Sequence, residues 1–296
     1  MADLRAIRTH RARSSRTQLL RAYLALRAAQ IMARYRGYPT FDHPVAVPMM
    51  GYRIVVPDFV CAAILFREVF LEETYGFDSN VPDPRVVDCG AHMGMSTLYF
   101  KWRYPSARVE TFEPDPSLFK ILAANVALNK LDDVSMHRAA VGSSDGHATL
   151  YTNNDFFAGQ ANSLLRDNLA GLAVTGVDVK TVRLSDFISE PVDFLKMDVE
   201  GAELAVVQEL SQAGGLAQVR ATALEFHHHI SPGVDALGGL LTLLESAAMG
   251  YTVAGTQRFA QPGAPQQLII RGYRKWPEDW PPAGATGLPP RVAPAS

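Results

Sequence analysis

This sequence predicts an α/β fold: a mostly parallel sheet covered by helices, an antiparallel hairpin at the sheet edge, and an N-terminal helical arm and cap. Three observations predict it. From residue 85 onward, short apolar runs of strand length alternate with amphipathic runs of helix length, the pattern of strands joined by helical crossovers. After Gly250 the alternation stops, and "YTVAG" and "QQLIIRGYR" follow one another across a Gly- and Pro-containing loop with no helix between them. The 296 residues, 48% hydrophobic, suit one large α/β domain with additions better than two full domains.

The arm comes first. "TQLLRAYLALRAAQIMARY" has helical spacing, with Leu20, Leu24, Ile31 and Tyr35 near one face, Leu19, Tyr23 and Leu26 widening it, and Gly37 and Pro39 ending it. Residues 1–36 hold nine arginines, no lysine and Asp3 as the only acid, whereas the whole chain is −2, so the body carries the acidic excess. Three roles stay open for such an arm: docking on the body or joining two copies, peripheral contact with anionic lipid or a protein partner, and a transit peptide. Nucleic-acid binding is not expected, because the body is acidic and lacks interleaved basic and aromatic residues.

Residues 45–57 read as two short strands around a glycine turn and 59–77 as a mostly buried helix, which completes an arm-and-cap unit over 1–80. The main domain spans 81–274. Its strands are "RVVDCG", "RVETFEP", "VSMHRAAVG", "VDFLKMD" and "RATALEFHHH", with helices "MSTLYFKWRY", "PSLFKILAANVALNK", "GAELAVVQELSQ" and "LGGLLTLLESAAMG" between or after them. Residues 275–296, with six prolines, form a tail that Trp276 and Trp280 can tack down. No apolar run reaches the roughly 20 residues of a membrane-spanning helix. The two cysteines, Cys61 and Cys89, lack a CxxC spacing, which fits a reducing cytoplasm and assigns Cys89 no role beyond packing.

Chemistry gathers where strands end. In "RVVDCGAHMGMSTLYF" a strand ends at Asp88, a turn holds Gly90, His92 and Gly94, and a helix begins near Ser96, so a ligand can approach bare backbone and free N–H groups. The next strand delivers Glu113, followed by Pro114, about 20 residues on, where an acid can take a ribose diol. The turn is not GxGxxG, since His92 and Met95 hold the second and third glycine positions, and Asp88 would oppose a pyrophosphate. A ligand with ribose, adenine and a positive centre describes S-adenosylmethionine, with Asp88 near its ammonium. An NAD-dependent oxidoreductase and a non-catalytic scaffold are the competing classes.

The stretch "DFLKMDVEGAEL" places Asp198, Glu200 and Glu203 at a strand end, beside the end of "ATALEFHHH". Two readings follow. Asp198, Glu200 and Glu225, with a histidine, can hold a divalent ion such as Mg²⁺ that activates an acceptor hydroxyl, or Asp198, His227 or His228 can take the proton without metal. Lys196 alternates onto the side of Asp198 and can neutralise it, or pairs with Glu200. Glu203 favours the helix start. The polar loop over 151–167, with Phe156 and Phe157, is a lid or a plain surface loop.

Four segments in order, "VVDCGAHMGMSTLYF", "VETFEPDPSLFKILAANVALN", "AAVGSSDGHATLY" and "VDFLKMDVEGAELAVVQEL", resemble the FkbM-type methyltransferases. The resemblance covers roughly residues 81–274. It implies a doubly wound, seven-stranded Rossmann-like sheet, S-adenosylmethionine as cofactor, and methyl transfer to oxygen on a small hydroxylated acceptor, commonly a sugar or a natural product such as a polyketide. The sequence departs from the family where His92 replaces a frequent Asn and Ser185 a frequent acid.

Overall fold

A computed structural model describes residues 2–9, 15–37, 39–152, 162–166, 173–230, 235–255 and 266–274. Phe156, Phe157, Trp276 and Trp280 lie outside them. In chain order the elements are α1 (Ala2–Thr9), α2 (Arg16–Arg36), β1 (Val45–Met49), β2 (Tyr52–Val56), α3 (Phe59–Phe66), β3 (Arg85–Cys89), α4 (Met95–Arg103), β4 (Arg108–Phe112), α5 (Pro116–Leu128), β5 (Val134–His137), β6 (Ala140–Gly142), β7 (Gly146–Thr152), β8 (Thr175–Arg183), β9 (Val192–Met197), α6 (Glu203–Gln212), β10 (Val219–His228), α7 (Leu237–Ser246), β11 (Met249–Gly255) and β12 (Gln266–Arg274).

Seven strands form the central sheet in the order β11-β12-β10-β9-β3-β4-β5. Only β12 runs against its neighbours, so the expected edge hairpin is present with its second strand wedged between β10 and β11. The chain builds outward from β3 to β5 and then returns to β9 on the other side of β3. That reversal opens a crevice at the carboxyl ends of β3 and β9, the place where such sheets hold ligands.

Adjacent residues on each buried strand serve opposite layers, as the period of two demands. Val86, Phe194 and Ala223 face α4, the cap and the arm, while Val87, Leu195 and Leu224 face α6 and α7. The cap hairpin is fastened by α5 through two asparagines one turn apart. Asn125 accepts from Val55 N at 2.6 Å and donates to Val55 O and Met93 O, and Asn129 accepts from Arg53 N and donates to Arg53 O, both at 2.8 Å. They supply to one side of β2 what a neighbouring strand would.

Four expectations need correction. The arm docks, but through Leu19, Ala22, Leu26 and Ala33, and the face of Leu20, Leu24, Ile31 and Tyr35 is exposed. Alanines allow the helix to approach the body closely, which a count of large apolar residues overlooks. The helix expected over 59–77 stops earlier, α3 passing into one π turn, Arg67–Leu71. "VSMHRAAVG" is two strands of different sheets. β6, β7 and β8 form a separate three-stranded sheet in the order β6-β8-β7, of which the sequence reading recognised no part as a sheet.

Candidate functional site

The carboxyl ends of the central strands open into one cavity of about 520 Å³, walled on the far side by α3, the π turn and residues 162–164. Its lining includes apolar Phe112, Leu118, Val141 and Leu164 and a polar cluster in which Tyr75 touches Asp198 and Glu225. Of the expected residues, Gly90, His92, Ser96, Glu113, Pro114, Lys196, Asp198, Glu200, Glu225, His227 and His228 line it, and Asp88 and Gly94 do not.

Glu113 sits at the end of β4, 5% exposed. Its Oε2 accepts from His92 N and its Oε1 from Asp115 N, both at 2.8 Å. His92 can present that N–H because it adopts a φ of 54° within the glycine turn. Burial pushes the Glu113 carboxyl up to about 8, against the opposing pull of the two backbone donors. Each oxygen keeps a lone pair for a hydroxyl, so the pair of oxygens fits a diol.

Asp88 has a different job from the one expected. It is fully buried, and its Oδ2 accepts from Ser96 Oγ at 2.7 Å and Thr97 Oγ1 at 2.9 Å. The acid therefore anchors the start of α4 and is not part of the cavity wall. The glycines also answer to packing. Gly90 has a φ of 80°, and a Cβ there would lie 1.8 Å from Asp198 O; Gly94 has a φ of 89°, and its Cβ would meet Leu122 Cδ1 at 2.7 Å.

Lys196, 2% exposed, ties these parts together. It donates to Cys89 O at 3.1 Å and to Gly90 O, and its Nζ lies 3.5 Å from Asp88 Oδ1 and 3.7 Å from Asp198 Oδ2. Burial alone would lower its pKa, but Asp88, Asp198 and Glu225 outweigh burial and raise it, so it is an ammonium. Its partners are Asp88 and Asp198, rather than the Glu200 considered from sequence. With its protons directed at carbonyls, Lys196 positions the turn beside Asp198.

The cap contributes two residues that sequence reasoning missed. Tyr75 donates to Glu225 Oε2 at 2.9 Å and to Asp198 Oδ2 at 3.4 Å, bridging the ends of β9 and β10. Glu68, on the π turn, is pushed up to about 7 by burial and by Asp198. Glu225 is pushed up to about 8 by burial and then by Asp198. The one signal for Tyr75 was its place in a buried amphipathic run, because it is 150 residues from Glu225.

His227 is clamped between two carboxylates, with Nε2 3.2 Å from Glu200 Oε2 and Nδ1 3.0 Å from Glu203 Oε1. Burial would lower its pKa, but the two carboxylates outweigh it and push the imidazole up to about 12. A protonated His227 has no lone pair with which to accept a proton. His228, on the cavity wall, is lowered by burial and stays neutral. Glu203 Oε1 also accepts from Gly201 N at 2.9 Å, in keeping with its place as the first residue of α6. Asp198, Glu200 and His227 can bring one ligand atom each within 4.8 Å of the others, whereas Glu225, expected in that set, is engaged by Tyr75.

The sequence profile of the methyltransferase FkbM domain matches residues 88–253, more than half of the chain. The chain belongs to the FkbM methyltransferase family. This FkbM-family chain is 32% identical over 166 residues to Methyltransferase 1 of Beauveria bassiana (49% of this chain, 66% of that one). It is also 32% identical over 181 residues to Methyltransferase sdnD of Sordaria araneosa (51% and 70%). With 2-O-methyltransferase NoeI of Sinorhizobium fredii it shares 27% over 140 residues (43% and 57%). It thus spans about two thirds of the length of the first two. No described helix is long and apolar enough to cross a membrane.

Proposed function

We propose that this FkbM-family chain is an S-adenosylmethionine-dependent O-methyltransferase working in the cytoplasm on a hydroxyl of a small acceptor, a sugar, glycoconjugate or polyketide-type compound. The observation that carries the reading is Glu113, a carboxyl lining the cavity at the end of β4 with both oxygens oriented by backbone N–H groups and open to a diol. The residues present fit the cofactor: Glu113 for ribose, the apolar lining at Leu118 and Val141 for adenine, and Gly90 with the Asp198 side of the cavity for the charged end. When bound, S-adenosylmethionine supplies a methyl group on a sulfonium sulfur. Oxygen as the accepting atom is supported by the likeness to NoeI, a 2-O-methyltransferase.

An alcohol is a poor nucleophile, so the site must hold its oxygen and receive its proton. Asp198 and Glu225, joined by the Tyr75 hydroxyl, do both on this reading. Glu225 is the better base, because burial and the neighbouring Asp198 raise its basicity to a pKa of about 8. Lys196 stands 3.7 Å from Asp198 as its cationic neighbour, and His227 fixes Glu200 and Glu203 without taking part. A Mg²⁺-assisted second reading is favoured by the convergence of Asp198, Glu200 and His227, and requires His227 to give up its Nε2 proton and its pair with Glu200 while Nδ1–H stays on Glu203.

Calorimetric titration of the protein with S-adenosylmethionine tests the proposal, with NAD and Glu113→Ala beside it and with Mg²⁺ or a chelator present. Binding that Glu113→Ala weakens and that NAD does not reproduce is the expected result. Absence of binding to folded protein in every condition overturns it and puts the scaffold reading first. Turnover of an acceptor unaffected by chelator removes the metal reading.

A further inference from the structure

The arm carries an apolar ridge that the body leaves uncovered. Leu20, Leu24, Ile31 and Tyr35 are 38%, 54%, 56% and 84% exposed, and they recur at steps of four, seven and four residues, so they form one stripe along α2. The opposite stripe, Leu19, Ala22, Leu26 and Ala33, is packed on the body, which fixes the ridge outward. Arg27 and Arg21, both exposed, stand on either side of it. Leu4 of the neighbouring α1 adds a further apolar side chain, 46% exposed.

We infer that this face of α2 docks the protein on an anionic lipid membrane as a peripheral, interfacial helix. Charge selects that occupant. By sequence the first 36 residues hold nine arginines against Asp3, and Asp3 lies 3.8 Å from Arg67; of these arginines, exposed Arg21 and Arg27 flank the aliphatic ridge. Such a helix lies in the headgroup layer, with leucine and isoleucine below it and guanidinium groups among the phosphates. The chain as a whole is −2, so the body is acidic and is repelled by the surface that attracts the arm. Attraction at one end and repulsion at the other fix the orientation. A second copy fits less well, because a twofold contact through this face sets arginine against arginine. The inference does not depend on the reaction proposed above.

Flotation with phosphatidylcholine vesicles, with and without about a third phosphatidylglycerol, tests it on the full chain. Binding to the anionic vesicles alone, falling at least tenfold between 50 mM and 500 mM salt, is expected, since salt at about 1 M shrinks the screening length to about 3 Å. Leu24→Ser with Ile31→Ser, and separately Arg21→Glu with Arg27→Glu, are each expected to lower the bound fraction tenfold or more. These side chains are exposed, so circular dichroism of both variants should match the parent. Failure of the folded parent to float with anionic vesicles overturns the inference, as does flotation that both variants retain. So does a dimer in sedimentation velocity that Leu24→Ser with Ile31→Ser dissolves while the parent ignores vesicles.

Discussion

Replacing Lys196 with methionine removes the charge that fully buried Asp88 and part-buried Asp198 share. At an effective dielectric of about 20, a unit charge 3.5 Å from Asp88 is worth about 5 kcal/mol, and the contact at 3.7 Å with Asp198 is similar. Much of that is offset because burying the ammonium was itself costly. What remains after the substitution is a fully buried Asp88 whose Oδ1 accepts no hydrogen bond, and two carbonyls, Cys89 O and Gly90 O, that have lost a donor. Breaking a buried pair from one side costs about 3–5 kcal/mol, a large share of the 5–15 kcal/mol that holds a typical domain folded. Urea unfolding followed by circular dichroism and by tryptophan fluorescence measures the loss, compared at equal slope. A second protein with Lys196→Met and Asp88→Asn together should recover more than half of it, because no lone charge is then left in the core. A loss under about 1 kcal/mol, or a double variant that loses the sum of the two single changes, would refute the claim that this triad organises the turn.

Three further outcomes follow from the geometry. Because burial raises Glu113 to about 8 in the free protein and a diol donates to its ionised form, S-adenosylmethionine affinity should climb as pH rises toward 8 and level off above it, with proton release seen as heat that depends on the buffer. Tyr75→Phe removes the donor that favours ionised Glu225, so the rising limb of kcat against pH should move to higher pH by about one unit, while KM for the cofactor stays put; an unmoved limb would take Glu225 out of the proton path. Asn125→Ala strips Val55 and Met93 of three hydrogen bonds and should cost about 2–4 kcal/mol by chemical denaturation, with hydrogen exchange rising first in β2.

Where the strand-end residues of the cavity fall was largely legible because it is written locally. β3, β4, β9 and β10 each carry several buried apolar residues, and each has a polar residue at or just past its end that the parallel sheet must present at its carboxyl edge, so Glu113 and Asp198 lie at the strand ends the sequence assigned them. Asp88 was read as facing the ligand because sequence shows that an acid ends the strand but not which way its carboxylate turns; Ser96 and Thr97, one helical start away, decide that. β8 escaped notice since "TGVDVKTVR" has a mostly exposed first half and few large apolar residues, as befits a strand of a small sheet with a solvated face. Tyr75 and Glu68 reach the site only through tertiary packing, and no spacing rule links them to Asp198.

β12 begins where the strands beside it end. Running against β10, it sets Gln266 and Gln267 opposite His228 and His227, and both glutamines reach the cavity. The cavity is therefore lined in part by a segment before the main sheet, at Glu68 and Tyr75, and by another at its last strand, while Gly90, His92, Ser96 and Glu113 come from the continuous run between the ends of β3 and β4. On the proposed reading, change at those two distant segments can remodel what the cavity accepts while the turn at Gly90 keeps its shape, so acceptor choice and cofactor binding can be altered separately.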